Sequence, residues 1–194
     1  MAAAAMGQLR SLLRGVAVTT GAGPARLLHE VDTAMVTLQA PTIATAVVAR
    51  VEPVREDQSD ADADAGPAGA DPGVRTVRWS NAGHPPPMLI APDGSVSTLA
   101  ASRSDLLLGV IPDAERHESV MTLTPGSTLF LYTDGLVERR DESLSDSLQT
   151  LRGVLADVAH LDVEGLCDAV LDRLLPARRT DDVALVAVRV ALPG

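Results

Sequence analysis

The chain has 194 residues, 46% of them hydrophobic, so it can form a folded domain with a buried core. Its 16 basic and 26 acidic residues give a net charge of −10, which argues against nucleic acid and anionic membranes as partners. Lysine is absent, which excludes Schiff-base chemistry and a Walker-type phosphate loop. The single cysteine, Cys167, excludes an internal disulfide and a cysteine-based zinc site, and it suits a reducing cytoplasm.

Helical periodicity opens the chain. No apolar run reaches the roughly 18–20 residues that span a bilayer, and a signal peptide is not expected because no basic region precedes the alanine-rich start. Pro24 follows a glycine-rich break and suits the first position of a second helix, which stops before Pro41. The two predicted apolar stripes are Leu9, Leu12, Leu13 and Val16, then Leu27, Leu28, Val31, Met35 and Leu38.

Short β-branched segments follow and predict strands. They are separated by turn residues and lie at 42–52, 74–80, 87–90, 95–99, 119–123, 127–133 and 182–190. The acidic, Pro- and Gly-rich stretch at about 53–73 is predicted to be a disordered loop within one domain of residues 1–194. Calcium binding by Asp60, Asp62 and Asp64 is the weaker reading of that loop, because the glycine is displaced by one position and no helices flank it.

A second helix pair lies between the last two strands. Its first helix covers 143–158 with a stripe of Leu144, Leu148, Leu151 and Leu155, and its second begins at the N-cap Asp162. Cys167 lies on the apolar stripe of the second helix, which favours a core role over a nucleophilic one. The order of two helices, many strands, two helices and a strand predicts an α+β fold with an antiparallel sheet core and outer helix pairs.

Aspartates interrupt two otherwise apolar strand ends. Asp134 follows the strand at 127–133, and Asp181 and Asp182 precede the last strand. Carboxylates at neighbouring strand ends can converge on one hard cation such as Mg²⁺ or Mn²⁺. A turn at Asp134-Gly135 and a strand cap at the paired aspartates are the competing interpretation.

The segment WSNAGHPPP (79–87) is a tightly shaped turn with one histidine, His84. His84 could donate a proton or contact a phosphoryl oxygen, although a packed, hydrogen-bonded loop histidine is the stronger interpretation. His29, His117 and His160 share no ligand spacing, so a histidine-rich zinc site is not expected.

Together these segments resemble one family. NAGHPPP, YTDG and TDDV, in this order and with the two helix pairs around them, resemble the SpoIIE/RsbU-type branch of the PPM (type 2C-like) metal-dependent protein phosphatases. Each motif alone is weak, whereas the ordered combination is specific. The resemblance covers the chain apart from the acidic loop.

The resemblance implies a β-sandwich flanked by helix pairs and a two-metal Mn²⁺ or Mg²⁺ centre. Metal-activated water would attack a phosphoserine or phosphothreonine, with no covalent enzyme intermediate. Asp134 and Asp181 match the family's metal-binding aspartates, and Asp182 is a neighbour that can assist. The implied substrate is a phosphorylated anti-anti-sigma (STAS) protein in a partner-switching pathway.

One family element is missing from the printed residues. Such phosphatases carry a Gly-Asp-Val-x-Gly-His-Gly-like segment before the first long helix, and its aspartate bridges the metals. The 194 residues contain no such segment, which implies an N-terminally truncated domain with one partial metal site, an exposed sheet edge and weak or absent catalysis. Two functions stay open: a metal-dependent serine/threonine phosphatase, and an inactive phosphatase-like module that binds a sigma-factor regulator. Whether the chain forms a homodimer is open as well.

Overall fold

The computed structural model describes residues 2–38, 42–54, 73–100, 103, 105–111, 113–138, 142–175 and 182–192. Within these ranges the chain forms four α-helices and seven β-strands. The helices are α1 (Ala2–Thr20), α2 (Pro24–Thr37), α3 (Leu144–Val158) and α4 (Val163–Leu174). The strands are β1 (Ala46–Pro53), β2 (Arg75–Ala82), β3 (Met88–Ile90), β4 (Val96–Thr98), β5 (Ser119–Leu123), β6 (Thr128–Tyr132) and β7 (Leu185–Arg189).

The chain divides into two compact units. The first comprises Met1–Val51, Val77–His84 and Ala101–Met121, and the second comprises Glu52–Thr76, Pro85–Ala100 and Thr122–Gly194. In the described part, the strands form one sheet of order β1-β2-β5 and one of order β4-β3-β6-β7. The predicted α+β class with antiparallel sheets and two helix pairs is therefore confirmed.

The core of the first unit lies under its helix pair. α1 and α2 pack together, and their apolar stripes meet small residues of β1 and β2. The buried members of this cluster are Leu9, Leu28, Val31, Met35, Ala46, Ala82 and Leu108. As predicted, Pro24 stands at the start of α2. No side chain of the preceding residue, Gly23, can cap that helix, and the Glu118 carboxylate accepts from the Ala25 N–H instead (3.4 Å).

The second unit is a four-stranded antiparallel sheet with α3 and α4 packed on one face. Both helices begin as predicted, because Ser143 accepts from Asp146 N (3.1 Å) and Asp162 accepts from Gly165 N (2.8 Å). Phe130 on the central strand β6 is fully buried and stacks on Tyr132 with ring centroids 5.9 Å apart. The buried core is Met88, Ile90, Phe130, Tyr132, Leu136, Val137, Leu151, Leu155, Val158, Leu166, Val170 and Leu174.

Two leucines assigned to apolar stripes are not core residues. Leu38 is 63% exposed because α2 ends at Thr37 and Leu38 is its C-cap. Leu144 is 57% exposed because it is the first residue of α3. The first strand also begins later than predicted, at Ala46. The proposed acidic loop, with its three candidate calcium ligands, falls mainly at 55–72, outside the described residues, and stays a prediction.

A buried ion pair ties α2 to the segment before β5. Arg116 donates to Asp32, and both side chains are 1% exposed. Asp32 also accepts from the Gly109 backbone N–H (2.7 Å), and Arg116 donates to the Leu106 carbonyl oxygen. Each charge is therefore compensated inside the first unit.

Among the described residues, no helix is both long enough and apolar enough to cross a membrane.

Replacing Asp32 with alanine should destabilise the chain strongly, because it leaves the Arg116 guanidinium buried without its carboxylate. Breaking a buried pair from one side costs about 3–5 kcal/mol, so the urea midpoint should fall clearly. Glu30→Ala is the control: Glu30 lies on the same helix and pairs with Arg26 at the surface (3.4 Å), which contributes less than about 1 kcal/mol. Equal losses in the two variants would contradict the role assigned to the buried pair.

Candidate active site

The ends of β6 and β7 lie side by side. Tyr132 and Leu185 face each other in antiparallel register. The pairing continues beyond them, because Thr133 N donates to Ala184 O (2.9 Å) and Ala184 N donates to Thr133 Oγ1 (2.9 Å). Asp134 follows this point on one strand and Asp182 precedes it on the other. The pairing therefore brings two of the predicted site residues to one edge of the sheet.

The backbone at this edge is closely packed. A Cβ on Gly135 would lie 2.6 Å from the Asp182 carbonyl oxygen, a distance that real Cβ atoms do not reach, so the approach requires glycine. Thr133 Oγ1 donates to the same Asp182 oxygen (3.1 Å). The Asp-Gly pair is thus more than a generic turn, since its glycine lets the two aspartate-bearing segments meet.

Asp134 starts a short 3₁₀ turn, Asp134–Leu136, that fixes its own position. Its carbonyl oxygen accepts from Val137 N (2.8 Å) and Glu138 N (2.7 Å), and its Oδ1 accepts from Gly135 N (2.9 Å). The side chain is half-buried, whereas Asp182 is exposed. A carboxylate held in this way needs little reordering to bind a ligand.

These residues fit an oxygen-ligated hard cation and cover part of its ligand set. Carboxylates are the ligands that Mg²⁺ and Mn²⁺ prefer, and such ions keep several waters. In the described ranges, no group of three or more His, Cys, Asp or Glu side chains is placed to hold a metal ion. Asp181 lies outside those ranges, so its predicted role as a ligand stays a prediction, as do those of Asp134 and Asp182.

The NAGH turn belongs to the first unit. The Asn81 side chain accepts from His84 N (2.7 Å) and donates to His84 O (2.9 Å), which closes the turn on itself. Gly83 has φ +70°, and a Cβ there would meet the Leu107 side chain at 2.9 Å. The His84 ring is half-buried, with Nδ1 3.0 Å from Thr45 Oγ1. This geometry agrees with a packed, hydrogen-bonded loop histidine.

Two supporting contacts were not foreseen from the sequence. The Thr133 hydroxyl at the end of β6 hydrogen-bonds the segment before β7, donating to the Asp182 carbonyl oxygen and accepting from Ala184 N. The Tyr132 hydroxyl donates to the Pro86 carbonyl oxygen (3.0 Å). Burial raises the pKa of Tyr132, so the phenol stays a donor. In the YTDG motif, Tyr132 and Thr133 come directly before Asp134. Nothing in the sequence, however, identifies the groups to which they hydrogen-bond.

Cys167 packs against the core of the second unit, as predicted. Burial, with the nearby Asp168 carboxylate, raises the pKa of its thiol. It is therefore a filler of the core and not a nucleophile.

The comparisons with known proteins agree with the predicted family and fold. A family model for Stage II sporulation protein E (SpoIIE) matches residues 1–191. The chain belongs to the SpoIIE family. A solved structure of the RsbU and RsbW domains of Rv1364c from Mycobacterium tuberculosis is 27% identical with a TM-score of 0.75, and it aligns with 100% of this chain and 49% of its own. This SpoIIE-family chain thus spans about half the length of that relative.

Two more distant structures show the same fold. The SiaA-PP2C domain of Pseudomonas aeruginosa is 19% identical, with a TM-score of 0.67 over 96% of this chain and 68% of that one. The phosphatase domain of SpoIIE from Bacillus subtilis, presoaked in Mn, is 14% identical, with a TM-score of 0.51 over 97% of this chain and 73% of that one. The chain is thus a SpoIIE-family domain with the fold of the SpoIIE/RsbU PP2C-type phosphatases.

Gly135→Ala should weaken metal binding at the strand ends, because the added methyl group would push the Asp182 backbone away from Asp134. We expect a lower Mn²⁺ affinity in calorimetric titration and a lower unfolding temperature. Gly153→Ala is the matched control: the site lies within α3 with open space around it, where alanine is favoured over glycine by up to about 1 kcal/mol. Unchanged Mn²⁺ affinity in Gly135→Ala would contradict the coupling of the two segments.

Cys167 should react slowly with a disulfide reagent such as DTNB at pH 8, since its raised pKa leaves little thiolate. Urea should accelerate the reaction, because unfolding removes the burial that raises the pKa. The absorbance of the released thiolate reports the rate. A native-state rate equal to that in urea would contradict the assignment.

Proposed function

We propose that this chain is a Mn²⁺- or Mg²⁺-dependent protein phosphatase domain that acts on phosphoserine or phosphothreonine in an anti-anti-sigma (STAS) regulator. The observation that carries the proposal is the meeting of the Asp134 and Asp182 segments at one sheet edge, with glycine required between them. The family match supports the reaction type.

Asp134, Asp181 and Asp182 would hold the cation. When bound, the ion supplies Lewis-acid activation of water and neutralises charge on the phosphoryl oxygens. Asp134 is presented by its 3₁₀ turn, and Thr133 keeps the Asp182 backbone in place. His84 would shape the NAGH turn through Asn81, with no proton transfer assigned to it.

The overall reaction is hydrolysis of a phosphate ester. A water oxygen forms the new P–O bond, the P–O bond to the serine or threonine side chain breaks, and that oxygen takes up a proton. The products are a free hydroxyl side chain and inorganic phosphate. The carboxylates contribute by positioning and by charge, and none of them becomes covalently attached to phosphorus.

The named contents of one matched structure support the choice of partner. It contains the RsbU and RsbW domains of a single protein. A domain of the same fold in this chain would suit a partner-switching pathway. A cytoplasmic location is part of the proposal, since the single cysteine suits a reducing compartment.

An inactive binding module is the second candidate. Such a module would bind the phosphorylated regulator without releasing phosphate.

Asp134→Asn should weaken Mn²⁺ binding by more than about tenfold, the smallest loss typical even for an outer-shell partner of a metal ligand. Calorimetric titration of the 194-residue polypeptide measures this directly. Asp172→Asn, an exposed aspartate on α4, is the matched control and should leave the affinity unchanged. Equal Mn²⁺ affinities for the wild type, Asp134→Asn and Asp172→Asn would contradict the assignment of Asp134 as a metal ligand.

Hydrolysis of p-nitrophenyl phosphate separates the two candidate functions. The 194 residues alone should show weak or absent turnover, because they supply only part of a two-metal ligand set. Adding a Gly-Asp-Val-x-Gly-His-Gly segment ahead of Met1, where the upstream coding sequence encodes one, should give Mn²⁺-dependent turnover that Asp134→Asn abolishes. Phosphoprotein binding without turnover in the longer protein would instead favour the inactive module.

A further inference from the structure

Four of the exposed large apolar side chains in the first unit lie on two segments that contact each other, one at 43 and one at 106–111. Ile43 is 65% exposed, Ile111 50%, Leu106 45% and Val110 43%. We call these four residues the apolar platform. Single exposed apolar residues are ordinary, but a contiguous group of them marks an interaction surface.

Backbone contacts hold the platform together. Ala44 and Leu108 form an antiparallel bridge, with N–O distances of 3.1 and 2.9 Å, and this places Ile43 opposite Gly109. Gly109 has φ +80°, and a Cβ there would lie 2.1 Å from the Thr42 carbonyl oxygen. Ile43 and Val110 are therefore carried by two backbones in direct contact.

The other two members share a cleft. Leu106 and Ile111 line a cavity of about 440 Å³ together with Glu115 and His117. The His117 ring donates from Nδ1 to Asp105 (2.7 Å), and Asp105 also accepts from His117 N (2.8 Å). The side chain of Asp105 is 3% exposed, so the hydrogen bonds that hold His117 beside the cavity are made by a buried carboxylate.

The buried Asp32–Arg116 ion pair holds the backbone of the platform in place. Asp32 accepts from Gly109 N (2.7 Å) and from Arg116, which in turn donates to the Leu106 carbonyl oxygen. Burying an ion pair contributes little to stability compared with an apolar replacement, and its better-attested use is to fix one conformation. Here the fixed element is the loop that keeps Leu106, Val110 and Ile111 outward.

Charge decides between the candidate occupants. The exposed charged side chains at the rim are Asp113, Glu115 and Arg103, so acidic groups outnumber basic ones among the described residues there, and the chain as a whole has a net charge of −10. A second copy, which carries the same net charge, would be repelled at long range. A protein whose apolar face is bordered by Lys or Arg would be complementary.

A phosphoprotein substrate particularly needs such a surface. A phosphoserine adds a charge of about −1.5 to −2 at pH 7, which a chain of this sign repels at long range. Affinity must then come from short-range apolar contact away from the phosphoryl group, with basic residues around it.

We propose that the apolar platform docks the phosphoprotein substrate through an apolar face bordered by basic side chains. The proposal rests on the proposed function for the identity of the partner. It assigns recognition of the protein to Ile43, Leu106, Val110 and Ile111, separately from the carboxylates at the β6 and β7 ends.

The test compares two valine-to-aspartate variants. Val110→Asp places a charge on the platform, and Val18→Asp makes the same change on α1, where Val18 is 85% exposed. The probes are the STAS-domain proteins encoded by the same genome, prepared with phosphoserine, and binding to the 194-residue chain is followed by fluorescence anisotropy. Val110→Asp should weaken binding by at least about tenfold, as loss of an interface centre does, and Val18→Asp by less than about twofold.

Several outcomes would overturn the proposal. They are equal affinities for wild type and Val110→Asp, an equal loss in Val18→Asp, and no binding of any STAS probe to the wild type. A dimer in sedimentation that Val110→Asp dissociates would instead assign the platform to a second copy. Circular dichroism and the unfolding temperature show whether each variant is folded, and Leu106→Asp provides an independent platform variant if Val110→Asp is not.

Failure of this inference is distinguishable from failure of the proposed function. Mn²⁺ binding and its loss in Asp134→Asn do not involve the platform, and Val110→Asp should leave Mn²⁺ affinity unchanged. Mn²⁺ binding with no platform effect would overturn docking alone. A platform effect with no Mn²⁺ binding would support docking while removing the metal-dependent reaction.

Discussion

The antiparallel pairing of β6 with β7 determines where the residues of the proposed metal site lie. Tyr132 and Leu185 are 53 positions apart in the sequence, yet the register of their strands sets Asp134 and Asp182 at one edge. A slip of one residue would turn the side chains of β7 to the opposite face and move Leu185 and Ala187 out of the core. The packing of the core therefore specifies the same register that brings the Asp134 and Asp182 segments together, so fold stability and the geometry of the proposed site depend on one set of contacts.

This dependence explains the small residues around Asp134. Two strand ends that diverge would leave room for any side chain, whereas here Gly135 meets the Asp182 carbonyl oxygen and Thr133 bonds the same atom. The close approach also satisfies backbone polar groups at this edge, since the Asp182 carbonyl oxygen accepts from Thr133 and the Ala184 carbonyl oxygen accepts from Thr133 N.

Much of the fold could be predicted because its signals are local. Caps at Ser143 and Asp162 and the stripes of the four helices come from residues within a few positions of each other. The aspartates of the site were recognisable because polar residues end apolar strands. The Asp32–Arg116 pair was not predictable, since its partners are 84 residues apart and no periodicity links them. Leu38 and Leu144 fit the helical spacing but lie at helix termini, where spacing alone does not show whether a neighbour covers them.

The buried Asp32–Arg116 pair and the exposed platform are best understood together. An exposed loop with three large apolar residues would ordinarily collapse inward, because burial of each side chain is favourable by about 1.5–3 kcal/mol. Asp32 opposes that collapse by holding the backbone at Gly109, and Arg116 does so at Leu106. The fold thus keeps apolar surface in water at a free-energy cost. In a chain of net charge −10 that is expected to meet an anionic partner, short-range apolar contact is the interaction that long-range repulsion leaves available. A cation at Asp134 would reverse the sign of the potential only locally, so it would not remove that long-range repulsion.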